Sequence, residues 1–150
     1  MFFYSIERLM LTSSQVNDPQ GRSAMDNHHD INPQDIAGRY VAVWNETDPA
    51  ARRKGIVDLW DPDGAHCVRT LEAHGYDALE KRITGSHDRN VRDRGHHFRA
   101  VQNAQTVRNV VTFNWEMTAA DDGKVLASGL EFLVLDEQGR IVADYQFMVA

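Results

Sequence analysis

The chain reads as an α+β domain, with a curved antiparallel sheet packed on three N-terminal helices. Three observations carry that reading. Apolar residues recur at helical spacing only before Asp93. The last third, from Thr106 to Val149, forms consecutive strands rich in Val, Phe, Trp and Leu. The breaks between those strands, Ala-Asp-Asp-Gly-Lys and Asp-Glu-Gln-Gly-Arg, are turn chemistry.

Taken in order, residues 1–31 differ from the rest. A short apolar start is followed by SSQVNDPQGRSAMDNHHDINPQ, which has neither helical nor strand period. It reads as a flexible arm, with Met25 as an alternative start. The pair His28-His29 lacks partner ligands at metal-binding spacing and reads as exposed tail. The globular domain spans residues 32–150. Asn32 before Pro33 is a helix cap followed by proline at the first helical position. Ile36, Tyr40, Val43 and Trp44 then share one helix face. Asp48-Pro49 repeats the signal for a second helix, whose face is Ile56, Leu59 and Trp60, and Asp61-Pro62-Asp63-Gly64 is expected to end it. Ala65 to Arg69 is a short strand with His66 and Val68 on one side. A third helix runs from Gly75 to about Arg92, with Tyr76, Leu79, Ile83, His87 and Val91 in its apolar stripe. A strand near His97 to Gln102 leads into the final three. Three helices cannot cover both faces of such a sheet, so they pack on one face, and the sheet curves around them.

The chain has 150 residues, enough for one domain with a real core. Its net charge of -6 argues against nucleic acid as the main partner. Arg82, Arg89, Arg92, Arg94 and Arg99 do cluster, but Asp88 and Asp93 interleave with them, as on a solvated helix face. The single cysteine, Cys67, rules out an internal disulfide and fits a reducing cytoplasm. No apolar run approaches the roughly 20 residues of a membrane-spanning helix, so no membrane partner is expected. Walker-type, GxGxxG, HExxH and GxSxG motifs are missing, and neither a cofactor nor a metal is expected.

Two passages, WNETDPAARRKGIVDLWDPDGAHCV and GLEFLVLDEQGRIVADYQFM, together with the element order, resemble the nuclear transport factor 2-like superfamily and its SnoaL-like group. The resemblance covers about residues 31–150. It implies a cone with an apolar cavity between helices and sheet, often in a homodimer, but no single activity, because that superfamily mixes isomerases, cyclases, dehydratases and binding domains. Against the ketosteroid isomerases of the superfamily, Tyr40 matches the oxyanion-hole tyrosine and Glu131 its protonated carboxyl partner. Val68 stands where their catalytic aspartate would be, so that isomerisation is not expected.

Among individual residues, Glu131 shares a strand face with Leu133 and Leu135. A carboxyl there is costly unless paired or neutral, and a neutral one can donate near pH 7. Tyr40 can offer its hydroxyl to the same cavity, although buried tyrosines commonly reach a rim. His87 and His66 are candidate bases or proton shuttles, although a histidine on an apolar helix face is ordinarily a hydrogen-bonded core residue. Asp144 faces outward by plain alternation, with Tyr145 inward; a β-bulge would exchange them. Trp44, Trp60, Phe113, Trp115 and Tyr145 are the expected cavity lining. The resulting expectation is a cofactor-independent isomerase, cyclase or dehydratase acting on a small apolar carbonyl compound. The alternative is a non-catalytic ligand-binding or dimerisation domain.

Overall fold

The computed structural model describes residues 30–149. The expected arm and the His28-His29 pair fall almost wholly outside them. Helix α1 (Pro33–Asn45) is capped as its sequence requires: Asn32 Oδ1 accepts from the backbone N–H groups of Gln34 and Asp35. Helix α2 (Pro49–Leu59) begins in the same way, with Asp48 Oδ1 accepting from Ala51 N–H at 2.8 Å. Strands β1 (Trp60–Val68) and β2 (Leu71–His74) form a hairpin, with Arg69 at a left-handed φ of 46° in the tight turn. Helix α3 (Tyr76–His87) continues into a π-helical turn (Asp88–Arg92). Strands β3 (His97–Ala100), β4 (Gln105–Val107), β5 (Val110–Thr118), β6 (Val125–Leu135) and β7 (Ile141–Val149) complete the chain.

These strands form one sheet in the order β2-β1-β7-β6-β5-β3, with β4 also paired to β5. The α+β class and the curved sheet are as expected, but the sheet is mixed, because β1 and β7 run parallel. Parallel partners need a long connection, and this one contains α3 and most of the sheet. Local sequence carries no mark of it. Asp61-Pro62-Asp63-Gly64 also departs from expectation: it lies inside β1 as an irregularity in the pairing, between Trp60 opposite Ile141 and Ala65 opposite Ala143.

Helix α1 packs on β3 and β5, and α3 packs on β1 and β2. The core between them contains Ile56, Leu59, Trp60, Leu79, Ile83, Val111, Phe113, Leu133 and Ile141, all essentially sealed from solvent. Burying each large apolar side chain contributes about 1.5–3 kcal/mol. Among the described residues, no helix is long and apolar enough to cross a membrane.

Candidate functional site

Three ionisable side chains are buried together in this core: His66 and Asp144 at 0% exposure and Glu131 at 1%. Strand register brings them there. Parallel pairing sets His66 beside Asp144, and antiparallel pairing sets Asp144 opposite Leu133, two residues along β6 from Glu131. Asp144 faces inward because β7 is bulged. Ile141 pairs with Leu135 and Ala143 with Val134, which leaves Val142 unmatched and reverses the alternation beyond it. Tyr145 therefore points outward, 43% exposed and edge-on to Phe132, and does not line the cavity.

Asp144 Oδ2 accepts two hydrogen bonds of 2.7 Å, one from the Tyr40 hydroxyl and one from His66 Nδ1. A carboxylate only accepts, so His66 carries its proton on Nδ1 in this contact and leaves Nε2 as a lone pair. Nε2 is buried and has no partner among the described residues. Glu131 Oε1 accepts from the Trp115 indole N–H, also at 2.7 Å. That bond depends on Gly129. A Cβ there would fall about 2.5 Å from the Trp115 ring, so the bare backbone lets the indole lie across β6 towards Glu131.

The remaining carboxyl oxygens, Glu131 Oε2 and Asp144 Oδ1, are also buried without a conventional donor. The two carboxyls are close neighbours, and two like charges buried together disfavour one another, so one of them is favoured as the neutral acid. Burial first, and the neighbouring Asp144 second, push the Glu131 carboxyl well above its ordinary value of 4.5. A neutral Glu131 beside an ionised Asp144 fits this direction, and its O–H can donate to the Asp144 carboxylate. Burial, reinforced by the Asp144 charge, raises the Tyr40 phenol above its usual range and keeps it protonated as a donor.

Donor atoms of His66, Glu131 and Asp144 lie within 4.8 Å of one another, so these are the described residues that could hold a cation. The hydrogen bonds to Asp144 Oδ2 and Glu131 Oε1 already engage the same carboxyl groups.

A cavity of about 200 Å³ adjoins this cluster. Its apolar lining comes from Tyr40, Trp44, Phe98, Trp115, Met117 and Met148, and its polar lining includes Arg82, Ser86, Arg89, Asn90 and Gln146. Tyr40 and Trp115 line the cavity and also bond the cluster, and Trp44 packs on the His66 ring with centroids 5.4 Å apart. These three rings separate the acids from the open space.

Five of the expected site residues are thus brought together: Tyr40, His66, Glu131, Trp115 and Asp144. Trp60 and Phe113 are core residues at 0% and 1% exposure and do not line the cavity. His87 is buried but apart from this group, with Nδ1 3.3 Å from Asp88 Oδ1. Its stripe position on α3 serves packing beside Ile83 rather than the carboxyls. Arg82 and Arg89 were expected on a solvated face, yet both line the cavity. Their spacing with Ser86 and Asn90, at three- and four-residue steps, was the available signal. Val68 is half-buried at the end of β1, paired with Gln146.

The architecture is the cone fold seen in nuclear transport factor 2-like proteins. The chain is similar to a candidate isomerase of the SnoaL-like family from Agrobacterium tumefaciens, at 23% identity over 78% of this chain and 97% of that one, with a TM-score of 0.71. It is also similar to a nuclear transport factor 2-like protein of unknown function from Exiguobacterium, at 19% identity over 76% and 98%, with a TM-score of 0.60. A candidate polyketide cyclase from Sinorhizobium meliloti matches at 12% identity over 75% and 93%, with a TM-score of 0.57. No protein-family model matches the chain, and no curated protein does. At these identities the likeness establishes the fold alone.

Proposed function

We propose that this domain binds a small apolar carbonyl compound and moves a proton on it without a cofactor, as an isomerase, cyclase or dehydratase does. The observation that carries this reading is the hydrogen-bonded chain Tyr40–Asp144–His66, which reaches the apolar cavity at Tyr40 and ends in an unpartnered His66 Nε2 behind the Trp44 ring. An aspartate that fixes the Nδ1–H tautomer leaves Nε2 as the basic atom, the arrangement general-base catalysis needs. Tyr40 is the member of that chain that also lines the cavity, so its hydroxyl is the contact for the substrate oxygen. Handing that O–H to a ligand costs Asp144 little, because the His66 N–H and the Glu131 proton still satisfy it. The hydroxyl then stabilises negative charge developing on the substrate oxygen while Nε2 takes the carbon-bound proton. Reaching Nε2 requires the Trp44 ring to turn aside. His66 and Asp144 supply the base that residue 68 cannot.

The test is proton exchange from carbonyl compounds in D2O, followed by NMR. Exchange by the native protein, lost in Asp144→Asn and His66→Gln while ligand still binds, is the expected outcome. Binding without exchange would favour the second reading, a ligand-binding domain, for which the sealing of all three ionisable groups speaks. The homodimer is likewise a proposal. The exposed outer-face residues Phe132, Tyr145 and Phe147 give it an apolar surface, and sedentation of the purified chain as a monomer at micromolar concentration would count against it.

A further inference from the structure

Arg82 and Arg89 reach the cavity from one side of α3 and its π-helical extension. Several arginines of this region are ion-paired, Arg53 with Asp77 and Glu80, Arg92 with Asp88 and Asp93, and Arg99 with Glu116, and the buried Arg52 donates to the Glu46 carbonyl and the Thr84 hydroxyl. In a chain of net charge -6, carboxylates are plentiful. Yet neither Arg82 nor Arg89 forms an ion pair with any described residue, and Arg82 Nε is buried with no acceptor. The Arg82 guanidinium lies over the Trp44 ring, 5.4 Å from its centroid, which fixes it against the cavity wall. Burial first, and the nearby Arg89 charge against the opposing pull of the acidic groups, push Arg82 below its ordinary value, so an anion between the two guanidinium groups would be favoured. An unsatisfied guanidinium pair beside an aromatic wall fits a ligand with an anionic end and an apolar body.

We propose that the pocket takes an apolar oxo-acid, with its carboxylate on Arg82 and Arg89 and its body against Trp44, Phe98 and Trp115. Ser86 and Asn90 lie on the same side and can donate to the free carboxylate lone pairs. The ketone then lies at the Tyr40 end of the cavity. This inference rests on the small-molecule reading given above and names its substrate class.

The experiment compares matched aromatic carboxylates and their uncharged carboxamides, one- and two-ring compounds, by calorimetry and by shifts of the Trp44 and Trp115 indole N–H signals. The expected result is that the carboxylates bind about tenfold more tightly, that Arg82→Gln/Arg89→Gln removes this preference, and that carboxamide binding falls far less than carboxylate binding in that variant. Equal affinity for acid and amide, or a preference that survives the double substitution, overturns the oxo-acid proposal and leaves the small-molecule reading standing. Inorganic phosphate binding as tightly as the aromatic acids also overturns it, because the apolar body would then contribute nothing. If neither acids nor amides move the indole signals, both proposals fall.

Discussion

The two faces of the β6–β7 hairpin invert the usual distribution of polarity. The inner face buries Glu131 and Asp144 among Leu133, Leu135 and Ile141, whereas the outer face exposes Phe132, Tyr145 and Phe147. Adjacent residues, Asp144 and Tyr145, differ from complete burial to 43% exposure. A carboxyl placed inside needs partners, and here each has them: Asp144 accepts hydrogen bonds from the Tyr40 O–H and the His66 Nδ1–H, and Glu131 accepts one from the Trp115 N–H. An aromatic ring placed outside needs no partner to be tolerated, since apolar atoms make up much of any protein surface. The inner polar groups are therefore held by a specific network, and the outer apolar ones by little.

The sharpest way to break this comparison is to truncate the two neighbours. Asp144→Ala leaves the Tyr40 hydroxyl and His66 Nδ1–H buried without an acceptor and should cost about 3–5 kcal/mol. Tyr145→Ala should stay within about 1 kcal/mol, in keeping with its exposure. Denaturant titration of both variants measures the difference, and similar losses would mean that the network contributes nothing special. A smaller effect is expected one strand away. Gly129→Ala should displace the Trp115 ring and cost about 1–3 kcal/mol by overpacking, with the indole N–H resonance moving as its bond to Glu131 breaks. A neutral result with an unmoved indole would show that the close approach at Gly129 does not position Trp115.

The smallest effect is one of pH. Glu131 binds its proton more tightly in the native state than in the unfolded chain, so the native state holds the extra proton between pH 4.5 and its raised native value. Stability from this group is full below pH 4.5 and is lost as pH rises through that native value. Glu131→Gln keeps an acceptor for Trp115 and an N–H for Asp144, so it should flatten that decline. Denaturation midpoints measured across pH for both proteins give the comparison, and parallel curves would contradict a raised Glu131.

How much of this was legible in the sequence follows the range of each interaction. Helices α1 and α2 announce themselves through Asn32-Pro33 and Asp48-Pro49, because caps act within four residues. Glu131 is conspicuous because it interrupts an apolar run. The inward turn of Asp144 is not legible, since the bulge at Val142 has no glycine or proline to mark it and only the pairing with β6 creates it. The parallel joining of β1 to β7, which brings His66 to Asp144, is a contact between distant segments with no local signature. Trp115 was readable as an aromatic wall, but not as the donor to Glu131, because that role depends on Gly129 across the ladder. Arg82 was misplaced on a solvated face because charge interleaving describes the helix surface and not what packs against it.

The buried network rests on a neutral Glu131, held so by burial and by the neighbouring Asp144 charge. The most direct test of this is an NMR titration of the Glu131 side-chain carboxyl in the native protein and in Asp144→Asn. The account predicts a midpoint well above 4.5 that falls, without returning fully, when the Asp144 charge is removed, because burial remains. A midpoint near 4.5 in both proteins would contradict it.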